Sequence, residues 1–85
     1  MNKRELSIEK EIEMLEVVRE SEGILFISPE SIAEHVKLIL ENQGLHLEEW
    51  QYEDTDQLGF RFKEMYFSIL FEKKGYMYRI IFTFL

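Results

Sequence analysis

The chain has 85 residues, a formal net charge of −7 and no cysteine. Its length suits one small domain, and a hydrophobic share of 46% argues against intrinsic disorder. The lack of cysteine excludes disulfides, thiolate metal sites and a cysteine nucleophile. We therefore expect a single globular domain that spans residues 1–85.

The N-terminal segment and the lengths of the apolar stretches predict where the protein resides. Residues 1–16 lack the apolar core of a secretory signal peptide. No stretch approaches the roughly 18–20 uncharged apolar residues that a membrane helix needs. We predict a cytoplasmic protein that has no membrane partner.

The first predicted element is an amphipathic helix that begins at Ser7 and ends near Gly23. Serine is a favoured N-cap, and glycine readily adopts the left-handed conformation that follows a helix. Between these two residues, apolar side chains recur with helical spacing at Ile8, Ile12, Leu15 and Val18, with Met14 beside them.

A second helix is predicted after a short apolar run. Residues 24–27, Ile-Leu-Phe-Ile, form either a brief strand or a buried connection, because four residues are too few for periodicity to decide. Ser28 and Pro29 are then a strong helix start, as N-cap and first helical residue. Glycine at position 44 ends this helix. Its apolar stripe comprises Ile32, Val36, Ile39 and Leu40.

After Gly44 the apolar period changes to two, which predicts four strands in an antiparallel meander. The predicted fold is therefore α+β: a two-layer domain with two N-terminal helices packed on a mainly antiparallel four- to five-stranded sheet, in the order α-(β)-α-β-β-β-β. A bend near Glu48–Glu49 is expected in the first of these strands. The strands are predicted at residues 45–53, 58–63, 65–72 and 76–84.

The last predicted strand, 76–84, is mostly apolar. We expect it to lie inside the sheet, because a long apolar edge would pair with other chains. One neighbour is predicted to be strand 65–72. The other is the run 24–27, the strand 45–53 or the same strand of a second molecule.

Alternation assigns the strand residues to two faces of the sheet. The face under the helices is predicted to hold Phe60, Phe62, Phe67, Ile69, Phe71, Ile80, Phe82 and Phe84. The opposite face is half apolar and rimmed by charge, which is typical of a contact surface. The predicted partner or dimer surface comprises Tyr66, Leu70, Met77, Arg79, Ile81 and Leu85.

The spacing of the polar residues matches no catalytic, metal or cofactor motif. A calcium loop aligned on Asp54 fails, because Leu58 and Met65 occupy positions that need oxygen ligands. His35 and His46 lack metal-ligand spacing, and no serine lies in a nucleophile elbow. We expect a protein that is not an enzyme, with no catalytic residue, no cofactor and no metal site.

The distribution of charge bears on the class of partner. Residues 1–57 hold 15 acidic and 5 basic side chains, giving −10, whereas residues 58–85 hold 2 acidic and 5 basic side chains, giving +3. The acidic first helix is either a solvated face or a mimic of a phosphate backbone. The basic second part, interleaved with tyrosines, resembles a platform for single-stranded nucleic acid, which the net charge opposes. The residues of this platform are Arg61, Lys63, Lys73, Lys74 and Arg79 with Tyr66, Tyr76 and Tyr78.

These observations predict a small acidic non-catalytic protein-protein interaction protein, a regulator or inhibitor that occupies a partner surface. The alternative is a single-stranded nucleic-acid-binding module. We also predict a homodimer, formed through the free edge of residues 76–84 or through the second sheet face. The competing arrangement is a monomer in which the first helix covers that face.

Overall fold

The computed structural model describes residues 3–82, with side chains described for residue 9 and residues 12–81. It confirms the predicted α+β fold, with two helices and a five-stranded antiparallel sheet. The helices are α1 (Lys3–Arg19) and α2 (Pro29–Asn42). The strands are β1 (Leu25–Phe26), β2 (Glu49–Asp54), β3 (Gln57–Phe62), β4 (Met65–Lys74) and β5 (Met77–Phe82).

The sheet order is β1-β5-β4-β3-β2, and every neighbouring pair is antiparallel. Strand β5 therefore lies inside the sheet, as predicted, between β4 and β1. The run 24–27 supplies that second neighbour, with Leu25 opposite Arg79 and Phe26 opposite Tyr78. The free edge predicted for the last strand is thus occupied at these two positions.

Both helices pack on the same face of the sheet, which we call the inner face. Helix α1 contributes Met14, Leu15 and Val18 to the core cluster that α2 and the strands share. The predicted inner-face residues Phe60, Phe67, Ile69, Phe71 and Ile80 are all buried there, and Phe62 packs against them. The arrangement in which the first helix covers the second face is therefore wrong, because the apolar stripe of that helix is already used on the inner face. The side chain of Phe82 and all of Phe84 lie outside the described residues.

The first helix differs from its prediction at both ends. It already includes Lys3, so Ser7 lies within the helix and is not its cap. Ile12 is 38% exposed, and the buried stripe runs instead through Met14, Leu15 and Val18. The helix ends at Arg19, and tight turns lead to Gly23, whose φ of +94° is the predicted left-handed conformation. Ile8 lies outside the residues with described side chains.

Helix α2 has the predicted caps at both ends. The Ser28 hydroxyl accepts a hydrogen bond from the backbone N–H of Ser31 at 3.1 Å. At the other end, Gly44 has a φ of +85°, and its N–H donates to the carbonyl of Glu41 at 2.9 Å. The next N–H, of Leu45, donates to Leu40 at 3.0 Å, which completes a Schellman motif with two buried leucines.

The predicted bend near Glu48–Glu49 separates an irregular segment from β2. Leu45 and Leu47 are buried before the strand begins, and the N–H of Glu48 donates to the Arg61 carbonyl at 2.8 Å. Trp50, within the strand, packs against the same core. The bend therefore directs apolar side chains from both segments to the inner face.

Replacement of Gly44 tests the Schellman motif. A Cβ at this position meets no atom within 4 Å, so the cost of Gly44→Ala comes from the positive φ alone. We expect a loss of about 1–2 kcal/mol in the free energy of unfolding, measured by urea denaturation. Gly44→Asn should cost less, because asparagine tolerates this conformation. Equal stability of the glycine, alanine and asparagine proteins would contradict this account.

Candidate functional site

The candidate site is the sheet face that points away from the helices, here called the outer face. Directly opposed residues of an antiparallel pair lie on the same face. Tyr66 is opposite Arg61, Leu70 opposite Gln57, and Arg79 opposite Glu72, all alternating with buried inner-face residues. Met77 is opposite Lys74, so it also lies on the outer face.

The structure thus brings four of the six predicted surface residues onto the outer face. Ile81 is 42% exposed and lies at a bulge, where β5 has one more residue than β4. Alternation from Arg79 therefore does not by itself assign Ile81 to a face. Leu85 lies outside the described residues.

One part of the outer face, here called the polar half, is organised around Glu53. The Tyr66 and Ser68 hydroxyls, both from β4, donate hydrogen bonds to the two carboxylate oxygens of Glu53 on β2. These bonds cross β3 at Gly59. A Cβ on Gly59 would lie 2.6 Å from Tyr66 Cζ and 2.8 Å from Glu53 Cδ. Only glycine leaves room for this cross-strand cluster.

Ion pairs extend the polar half toward the start of β2. The Arg61 Nε lies 3.2 Å from a carboxylate oxygen of Glu48, and its Nη2 lies 3.3 Å from one of Glu49. This guanidinium is therefore neutralised by its own chain. Its side chain is about half exposed, so each pair contributes little to stability.

The rest of the outer face, here called the apolar half, is built on β1, β5 and the adjoining part of β4. Leu25, Leu70 and Met77 supply its apolar side chains, and Leu25 is 52% exposed. Arg79 lies among them, and its Nε donates to a carboxylate oxygen of Glu72 at 2.7 Å. The apolar half thus contains an internally paired cation beside one exposed and two half-buried aliphatic side chains.

The basic and aromatic residues considered for nucleic acid do not share one surface. Tyr66 lies on the outer face, whereas Tyr78 is opposite Lys73 on the inner side and packs against the core. The Lys73 ammonium lies 5.9 Å from the centroid of that Tyr78 ring. Tyr76 lies in the exposed β4–β5 turn. The fold therefore separates the tyrosines that a stacking platform would need together.

The two histidines lie far apart in the chain and have local partners. His35 Nε2 is 2.7 Å from the hydroxyl of the buried Ser21, and its ring lies 5.1 Å from that of Phe26. His46 is exposed, and its Nδ1 lies 3.6 Å from a Glu41 carboxylate oxygen. Among the described side chains, those of residue 9 and residues 12–81, no three histidines, aspartates or glutamates are arranged to hold a metal ion. Asp54 instead accepts a hydrogen bond from the Thr55 N–H in an exposed turn.

A groove of about 320 Å³ lies between α1 and the end of α2, and sequence reasoning missed it. Two glutamates of α1 and one that directly follows the helix line it together with three residues that are not charged. Its lining comprises Glu13, Glu16, Val17, Glu20, Gln43 and Leu45. The helical spacing of the glutamates was visible in the sequence, but the approach of the segment that follows α2 was not.

Comparisons with known proteins give no family assignment. No protein-family model matches the chain, and neither the curated proteins nor the solved structures provide a match. Neither described helix has the length and apolar character needed to cross a membrane.

The Gly59 contact generates a prediction of non-additivity. Gly59→Ala should cost about 1–3 kcal/mol in the free energy of unfolding, because the added methyl group overlaps Tyr66 and Glu53. In a Tyr66→Ser background the same change should cost less, since the ring is gone. Tyr66→Phe should lower the cost only in part, because it removes the hydroxyl oxygen nearest to the added methyl group but keeps the ring carbon 2.6 Å from it. Urea denaturation measures all three; equal Gly59→Ala costs in every background would contradict the packing described.

Two tyrosines predict a loss of stability in alkali. Removal from water raises the pKa of Tyr66 and of Tyr52 above the ordinary 10.0, and the neighbouring Glu53 and Glu30 carboxylates raise them further. The folded state then holds these protons more tightly than the unfolded chain does. Their contribution to stability is fully present below about pH 10 and is lost as the pH rises through the raised values.

Unfolding measured across this pH range tests the tyrosine effect. The variant that carries Tyr52→Phe and Tyr66→Phe should lose less stability above about pH 10 than the parent protein, because it lacks both phenols. All other ionisable groups are the same in both proteins, so the difference isolates the two substituted groups. An identical decline in both proteins would show that these phenols make no contribution.

Proposed function

We propose that this is a small acidic non-catalytic protein-protein interaction protein, a regulator or inhibitor that occupies a surface on a protein partner. The observation that carries the proposal is the apolar half of the outer face. Leu25, Leu70 and Met77 lie on a sheet face that neither helix covers. They lie beside Arg79 and the polar half, and apolar patches with a polar rim favour protein contacts.

The arrangement of charge supports a protein partner. Arg79 lies among the apolar side chains but is paired with Glu72, so a partner that covers this patch meets no unpaired cation at position 79. Arginine and methionine are also enriched in the cores of protein interfaces. The polar half, with Glu53 and Arg61 already bonded to their own chain, suits a hydrated rim beside that core.

A non-catalytic role is supported by the chemistry of the Glu53 cluster. This carboxylate, Tyr66 and Ser68 are the most closely grouped polar side chains on the outer face, and they lie on an exposed part of the sheet. The phenol of Tyr66, whose pKa is raised above the ordinary 10.0, is protonated near neutral pH, as an ordinary phenol is, so it is not available as a general base. We infer that the cluster holds β2, β3 and β4 together. We also propose that the protein acts in the cytoplasm.

The alternative, a module that binds single-stranded nucleic acid, has less support. Arg61 and Arg79 are both paired with glutamates, and Tyr66 and Tyr78 lie on opposite sides of the sheet. Its test is retention on single-stranded DNA or RNA at low salt, about 50 mM, where electrostatic attraction is strongest. Retention that is abolished by Tyr66→Ala would favour the alternative over a protein partner.

Capture from a lysate of the source organism tests the proposed function. The immobilised protein should retain one specific protein, identified by mass spectrometry, and Leu70→Lys should remove it by placing a charge in the apolar half. Leu38→Lys is the matched control, since Leu38 is an exposed leucine on α2, away from the outer face. Equal capture by all three proteins, or recovery of nucleic acid alone, would contradict the proposal.

A further inference from the structure

The two edges of the sheet differ in charge. Strand β2 forms one edge and carries Glu49, Glu53 and Asp54, the kind of charged side chains that keep an edge from pairing with other chains. Strand β1 forms the opposite edge, and the segment 23–28 around it carries no charge. The β2 edge is therefore protected by charge, whereas the β1 edge lacks this protection and is limited only by the two-residue length of β1.

The unprotected edge also exposes large apolar side chains. Ile24, Leu25 and Ile27 are 45%, 52% and 73% exposed. Strand β1 pairs with β5 on one side, and its other side has no strand beside it among the described elements. The backbone groups on such a side pair with any extended chain that fits, and apolar side chains add burial to that pairing.

We propose that a second copy of this chain occupies this edge, with the two β1 segments pairing antiparallel across a twofold axis. An antiparallel strand pair is self-complementary, so one segment supplies both halves of the interface. The two sheets then join into one ten-stranded sheet, in which the Leu25 side chains of both copies lie on the same outer face. This interface uses the edge of the sheet and meets the outer face at Leu25, but it does not rest on the proposed function.

Charge favours this edge for self-association of a chain with a net charge of −7. The acidic β2 edge lies four strands away, about 19 Å at the usual strand spacing, which exceeds the Debye length of about 8 Å at physiological salt. The nearest carboxylates along the chain, Glu22 and Glu30, flank the uncharged segment at its two ends. In the antiparallel pairing, Glu22 of one copy would approach Glu30 of the other at each end, so added salt should tighten the dimer.

Sedimentation equilibrium tests the dimer at roughly 10–300 µM protein, the range in which a dimer with micromolar affinity is populated. The expected species has twice the monomer mass of 10.3 kDa. Ile27→Lys should weaken dimerisation at least about 10-fold by placing like charges across the axis, whereas Leu38→Lys should leave it unchanged. A monomer at every concentration, or a dimer that survives Ile27→Lys, would overturn the proposal. So would a dimer that only Leu70→Lys disrupts, because that result assigns the interface to the outer face.

Amide hydrogen exchange provides a second readout that needs no substitution. In the unmodified protein, exchange at residues 24–27 should slow as the concentration rises, while the β2 edge should be unaffected. Unchanged exchange at residues 24–27 across the range in which the mass doubles would overturn the edge assignment. This measurement also decides the matter if Ile27→Lys fails to fold.

Discussion

The structure depends on one constraint: the described residues share a single hydrophobic core, which lies on one face of the sheet. The buried residues of α1, including Met14 and Val18, and those of α2, including Val36 and Leu40, join the same cluster as Phe60 and Ile69 of the strands. A domain of this size buries only about 60–65% of the surface that its unfolded chain exposes, which is too little to form a second core. The outer face must therefore be stabilised differently.

The polar half of the outer face is stabilised by hydrogen bonds and ion pairs that connect β2, β3 and β4. Glu53 accepts from Tyr66 across Gly59, and Arg61 pairs with the glutamates that precede and begin β2. In the apolar half, Arg79 is bonded to Glu72 across β4 and β5, but the side chains beside this pair, Leu25, Leu70 and Met77, are aliphatic. The contrast between the two halves of one face is the physical basis for assigning interaction to the apolar half and structural support to the polar half.

Local signals in the sequence predicted the fold well where they act within one element. Ser28, Pro29 and Gly44 set the ends of α2, and alternation in β3 and β4 identified the inner face from Phe60 to Phe71. The predicted start of α1 was wrong. In a sequence, a serine inside a helix cannot be told from an N-cap when the glutamates that follow it suit the first turn of a helix.

Features that depend on neighbouring strands could not be predicted. The Glu53–Tyr66 bond joins residues 13 positions apart across an intervening strand, so strand order and register must be known first. The bulge at Ile81 likewise depends on its pairing with β4.

The account is tested most directly by comparing Ile69→Ser and Leu70→Ser, adjacent residues on opposite faces of β4, in urea denaturation. Ile69→Ser should cost several kcal/mol, at least the 2–5 typical of a buried Ile→Ala, and Leu70→Ser less than about 1. Equal costs would show that the chain packs both faces, which would contradict a free outer face.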